Sequence, residues 1–232
     1  MWHFFIDLDS TLFCRRDFDM YLTTPQIENL EVNLIGNLST GNINKYKAGD
    51  HICNPIYHMQ HRQFFSSLCG NFSASISITF ITAASYKEMP TKNILSIFFG
   101  ADINKKLMIS MKPFYNRNDL IIAAGIDYQT ASNEERVNAM AKGKAAVMNN
   151  VWRTISGHAG LAIPQQNFVL IDDNPINRFA AMRRGFQVIN PAAADYASVL
   201  SLFTSKLPAT NIFSPHRDNY CDTDCPVKSV YS

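Results

Sequence analysis

Two short apolar runs that stop abruptly at paired acids constrain this chain more than any other feature. The first is Phe4-Phe5-Ile6-Asp7-Leu8-Asp9-Ser10-Thr11-Leu12, and the second is Asn167-Phe168-Val169-Leu170-Ile171-Asp172-Asp173. Neither run alternates apolar with polar. A strand that is apolar on both faces must be covered on both, as a central strand of a parallel sheet is. Further strand-sized runs lie at 75–81, 107–111 and 186–189. Helical patterns fall between several of them. Ile94, Leu95, Phe98 and Phe99 mark one over 91–99. Val147, Met148, Val151, Trp152 and Ile155 share one face of a second, which starts after Gly143 and closes at Gly157 and Gly160. Pro175 opens a third, ending at Gly185, and Tyr196, Val199, Leu200 and Phe203 stripe a fourth over 192–207. Strands alternating with helices predict an α/β fold, a Rossmann-like three-layer parallel sheet with helices on both faces.

The 232 residues suffice for one sizeable core, and a hydrophobic fraction of 47% is that of a globular chain. Only 17% of residues are charged and the net charge is +2, which excludes an acidic solvating protein and a strongly basic nucleic-acid binder. The N-terminus lacks a basic region followed by a long apolar one, so no secretory signal is expected. No run reaches the roughly 18 apolar residues of a transmembrane segment. The five cysteines, Cys14, Cys53, Cys69, Cys221 and Cys225, are odd in number and scattered. They read as reduced thiols of a cytoplasmic protein. Export by a signal-peptide-independent system would leave no mark of this kind. Two stretches break the alternation. Residues 15–70 are turn-rich and polar before a helical segment with Ile56, Met59, Phe64, Phe65 and Leu68, and 112–141 mix Asn, Gln and Glu with short apolar pieces. Residues 208–232 show no periodicity and form a C-terminal tail.

Ligands of open α/β sheets bind at the carboxyl ends of the strands. Asp7, Asp9, Asp172 and Asp173 sit there. The plain alternative for each pair is a turn with a helix cap. Two such pairs on neighbouring strands would repel unless a hard divalent cation lay between them, and Mg²⁺ is the natural one for oxygen ligands. A third apolar run ends at Thr82, whose hydroxyl and following amides suit a phosphate oxygen. Lys142-Gly143-Lys144 stands at the mouth of a helix, where a lysine would neutralise phosphate charge or simply be solvated.

Taken in order, acid-x-acid-x-hydroxyl, strand-end Thr, Lys and strand-end acid pair, the set resembles the haloacid dehalogenase superfamily, in its phosphatase form. The resemblance runs from about Trp2 to Pro191 and leaves out the two irregular stretches. It implies that Asp7 is a nucleophile forming an aspartyl-phosphate, and that Asp9 is the general acid and base, with its carbonyl on Mg²⁺. It further implies Asp172 and Asp173 at the metal, and Thr82 and Lys142 (or Lys144, with Lys142 preferred) on the phosphoryl oxygens. It divides the chain into a catalytic core of 1–14 and 71–207, a small cap of 15–70 inserted after the first strand, and the tail 208–232. Asp7 lies 75 positions from Thr82, which leaves room for that cap, and Thr82 lies 60 from Lys142, which leaves room for a modest second elaboration. A short cap leaves an open cleft. That favours a phosphorylated protein, plausibly a phosphotyrosine protein, over a small phosphoester, and gives no reason to expect nucleic acid. The competing expectations are a small-metabolite phosphatase or phosphotransferase, and a non-catalytic binding module.

Weaker sets remain. His58 and His61 lie three apart near Cys53 and would suit a metal, though such pairs more often pack or face solvent. His216, Cys221 and Cys225 have non-standard zinc spacing and read as free. Asn177 would contact the second acid pair, or cap, or pack.

Overall fold

A computed structural model describes residues 1–15, 21–38, 51–70, 76–100, 112–127, 129–159 and 163–206. The apolar run at 107–111, Gly160, and the tail with His216, Cys221 and Cys225 lie outside the described residues. The fold is α/β. Strands β1 (Trp2–Ile6), β5 (Ile76–Ile81), β6 (Phe114–Tyr115), β7 (Phe168–Ile171) and β8 (Gln187–Ile189) make a five-stranded sheet of order β6-β5-β1-β7-β8. Every pairing in it is parallel. Between β1 and β5 the chain forms a separate antiparallel sheet of β2 (Phe13–Arg15), β3 (Gly36–Leu38) and β4 (His51–Pro55), ordered β2-β4-β3. Two helices accompany it, α1 (Thr24–Glu28) and α2 (His58–Gly70). The rest are α3 (Glu88–Phe99), α4 (Arg117–Ala124), α5 (Asn133–Ala159), α6 (Pro175–Met182) and α7 (Tyr196–Lys206).

The two apolar runs become β1, the middle strand, and β7, an interior strand beside it, because both of their faces are buried. Phe4 and Ile6 of β1, with Val169 and Ile171 of β7, face one core that also holds Phe64, Phe65, Leu95, Phe98, Tyr196 and Leu200. Phe5, Phe168 and Leu170 face a second core with Leu120, Val147, Met148 and Ala181. Helices α2, α3 and α7 therefore cover one face, and α4, α5 and α6 the other. Each fully buried Phe, Leu or Ile contributes about 1.5–3 kcal/mol relative to exposure, so both faces supply stability. Some polar groups enter the core with partners. His3 on β1 meets the hydroxyls of Ser77 at 2.5 Å and Thr79 at 3.0 Å on β5. Burial drives its pKa down to about 3, so the ring stays neutral.

The stretch 112–141 is regular rather than irregular. It contains β6, α4 and the first turns of α5. Asn116 caps α4 by accepting from the amides of Asn118 and Asp119, while Asp119 accepts from the Asn116 amide. Ser132 and Glu135 make the same reciprocal pair at the start of α5. That helix begins at Asn133 and runs straight through Gly143 and Gly157. Gly143 is there for contact and not as a helix breaker. A Cβ on it would lie 2.3 Å from the carbonyl oxygen of Leu120, so only glycine lets α5 press this closely on α4. Likewise 120–124, a strand-sized apolar run, is helical because α4 caps ahead of it. Among the described residues no helix is long and apolar enough to cross a membrane.

Candidate active site

Strand order brings the two acid pairs together. Strand β1 is followed by chain that passes to the α2 face, whereas β7 is followed by α6 on the opposite face. Adjacent strands whose connections diverge leave a crevice at their carboxyl ends. Ile6 pairs with Ile171 in parallel register, so Asp7 and Asp172 emerge side by side. The Asp7 amide donates to the Ile171 carbonyl at 2.9 Å and ties the two ends. On the other flank Ile6 pairs with Phe80, which brings Thr82 out beside them.

The lysine that meets these acids is Lys144. Its Nζ lies 2.8 Å from Asp7 Oδ1 and 2.6 Å from Asp172 Oδ2, and it is 1% exposed. Lys142, preferred from the sequence, is exposed and lines a groove between α5 and α6 of about 400 Å³ with Ile176, Phe179, Arg183 and Arg184. The reason is helical phase. Lys144 shares a face with Val147, Met148 and Val151, while two residues back the helix has turned by about 200°.

Asp172 is fully buried, and besides Lys144 its carboxylate accepts from the turn that follows it. The Asn177 side-chain amide lies 3.0 Å from both of its carboxylate oxygens, and the Asn174 amide donates to Oδ1 at 2.9 Å. Arg178 donates to the carbonyls of Asp172 and Asp173, clamping the turn into α6. Asn177 thus contacts the acid pair. Ligand oxygens of Asp7, Asp172 and Asp173 all lie within 4.8 Å of one another. That spread and an all-oxygen donor set fit a hard cation. Three carboxylates face one ammonium, so the cluster carries an excess of negative charge that a divalent ion would cancel.

The electrostatics say the same. Burial pushes the Asp7 carboxyl well above its ordinary range; Lys144 pulls it down, and the Asp172 and Asp173 charges push it further up. Asp173 is pushed up to about 6 by burial and then by Asp172. Burial opposes the charge on Lys144, but Asp172 and Asp7 outweigh it and hold the ammonium protonated above the ordinary lysine range.

Asp9 and Thr82 flank this cluster. Asp9 is half-buried and accepts from the Tyr86 hydroxyl at 2.5 Å. The turn between Asp7 and β2 is held by Ser10, whose φ of 55° is left-handed, and by the Gln26 side chain donating to the Ser10 carbonyl. Thr82 is buried, and its Oγ1 accepts from the Ala84 amide at 3.0 Å. Tyr86 and Gln26 carried no sequence signal, since their roles depend on contacts between distant segments.

The histidine pair does not form a metal site. His58 Nε2 pairs with the Phe98 carbonyl at 2.7 Å, and His61 lies in the core between the Ile56 carbonyl and the Tyr196 hydroxyl. Cys14 and Cys53 are buried, and the Cys14 thiol donates to the Arg15 carbonyl at 3.1 Å.

Fold and site together define an α/β protein with a carboxylate–lysine centre at the point where its chain connections diverge. No protein-family model matches the chain, and no curated protein is detectably similar to it.

Proposed function

We propose that this chain is a Mg²⁺-dependent phosphatase of the haloacid dehalogenase type, hydrolysing phosphate monoesters through an aspartyl-phosphate on Asp7. One observation carries the reading: Lys144 Nζ joins Asp7 to Asp172 at the ends of adjacent parallel strands, with Asp173 within ligand reach. The other supports are Asp9 two residues beyond Asp7 and Thr82 on the neighbouring strand.

In this reading an Asp7 oxygen attacks phosphorus and the bond to the leaving oxygen breaks. Asp9 gives that oxygen its proton. Asp9 then takes a proton from water as the water attacks phosphorus, and Asp7 and inorganic phosphate are released. Lys144 holds Asp7 in place and offsets charge on the phosphoryl oxygens, and Thr82 hydrogen-bonds one of them. Asp7, the Asp9 carbonyl, Asp172 and Asp173 would hold Mg²⁺. When bound, it neutralises carboxylate repulsion and polarises the phosphoryl group. Strands β3 and β4 with α1 act as a small cap joined to the core through β2, while α2, although it falls within 15–70, packs on the central sheet and belongs with the core of 1–14 and 71–207. A cap of this size favours a phosphoprotein substrate, with phosphotyrosine the first candidate, over a small phosphoester.

The test is hydrolysis of p-nitrophenyl phosphate in Mg²⁺ by the wild type and by Asp7→Asn. The variant is expected to lose activity on the order of a thousandfold or more, as loss of a nucleophile does. Full activity in the variant sinks the nucleophile, and activity undiminished by excess EDTA sinks the metal. A panel of phosphotyrosine peptides and phosphorylated metabolites then assigns the substrate class.

A further inference from the structure

Tyr86 is 2% exposed and sits where three separate pieces of chain meet. Its hydroxyl donates to Asp9 Oδ1 at 2.5 Å, in the turn after β1. Arg15 Nη1, on β2, lies 3.5 Å from the same hydroxyl. The ring packs on Phe13, with centroids 6.3 Å apart, and the Tyr86 carbonyl accepts from the Asn116 side chain that caps α4. The residue is therefore held from its ring and from its backbone, and its hydroxyl in turn holds one oxygen of the Asp9 carboxyl. A tyrosine that merely filled the core would be satisfied by any carbonyl. This one is spent on the acid two residues from Asp7.

We infer that Tyr86 is a positioning residue that acts through Asp9, and that it matters most for substrates whose leaving oxygen needs a proton. The inference rests on the phosphatase reading. As the bond from phosphorus to the leaving oxygen breaks, the Asp9 proton moves to that oxygen and negative charge forms on Asp9. A hydrogen bond to a carboxylate is stronger than one to a carboxylic acid. The Tyr86 bond is then worth more in the transition state of this first step than before it, which is the condition for speeding that step. An alkyl phosphate needs that proton because an alkoxide is a poor leaving group. A p-nitrophenyl phosphate does not, because its phenolate leaves unassisted.

The experiment compares the wild type, Tyr86→Phe, Asp9→Asn and the double variant on β-glycerophosphate and on p-nitrophenyl phosphate. Tyr86→Phe keeps the ring, and melting temperatures check that all four proteins fold. The expected result is a kcat/KM loss of about tenfold or more on β-glycerophosphate, a fraction of the full acid–base effect, against less than about threefold on p-nitrophenyl phosphate; kcat/KM reads only the steps up to departure of the leaving group, so the hydrolysis of the intermediate that both substrates share does not enter. In the Asp9→Asn background Tyr86→Phe adds no further loss, because the two act as one unit. Equal losses on both substrates, no loss on either, or an undiminished effect in the Asp9→Asn background overturns the inference while leaving the phosphatase reading intact. A wild type inactive on both substrates overturns both.

Discussion

Strand β1 has a buried polar group at each of its ends, and the two are handled in opposite ways. At the amino end His3 lies between β1 and β5 with two hydroxyls for partners. At the carboxyl end Asp7 lies against an ammonium and two further carboxylates. Burial works against charge at both ends, lowering the histidine and raising the aspartate. The partners differ. Neutral hydroxyls let His3 remain uncharged, so its network closes on itself and does nothing but hold strands together. Lys144 keeps charge in the site, and the cluster remains short of positive charge. A buried network that is complete is structural; one left incomplete is a place where a cation and an anionic ligand can bind.

The largest effect that sharpens this contrast is at Lys144. Lys144→Met leaves Asp7 and Asp172 buried without their counter-charge, and the expected loss is about 3–5 kcal/mol in urea unfolding. Lys142→Ala, on the exposed side of the same helix, is expected to change stability by less than about 0.5 kcal/mol. Similar losses in the two variants would place the charged centre elsewhere. Next comes the packing that delivers Lys144. Alanine at 143 usually favours a helix, but here its Cβ meets the Leu120 backbone. Gly143→Ala should therefore destabilise by about 3 kcal/mol, the upper part of the overpacking range, as α5 is forced off α4. A stabilised variant would break that account.

The pH dependence separates the two ends more gently. His3 has a folded pKa of about 3 against about 6.5 unfolded, and His61 one of about 4. Above pH 6.5 both are neutral in either state. Below it the unfolded chain takes up protons that the folded chain refuses, so stability falls with pH until about 4 for His61 and about 3 for His3. The raised carboxyls of Asp7 and Asp173 act in the reverse sense, keeping protons that the unfolded chain has released. A His3→Gln variant isolates the histidine. Between pH 8 and pH 5 the wild type should lose about 2 kcal/mol more than this variant. Parallel pH profiles would mean that His3 is protonated in the fold.

Much of the parallel sheet was legible. Trp2–Ile6 and Phe168–Ile171 were bounded in the sequence at the residues where the structure ends them, because an apolar run between polar residues has only one way to be buried. The start of α5 was legible too, in Ser132 and Glu135, a reciprocal cap three residues apart, although Gly143 by itself resembles a helix boundary. Lys144 carried a signal as well: it continues the stripe of Val147, Met148 and Val151 backward by one turn. Choosing it over Lys142 required the helix to be running already at that point. Nothing in the sequence marked Tyr86 or Gln26.

By itself, then, the sequence determined which residues end buried strands and therefore where acids stand at the rim of the sheet, since burial pattern and spacing are local. Only the tertiary structure decided that those acids are neighbours, which lysine lies between them and what orients Asp9. These are distances between segments far apart in the chain, and they follow from strand order, register and helical phase, none of which a single segment encodes.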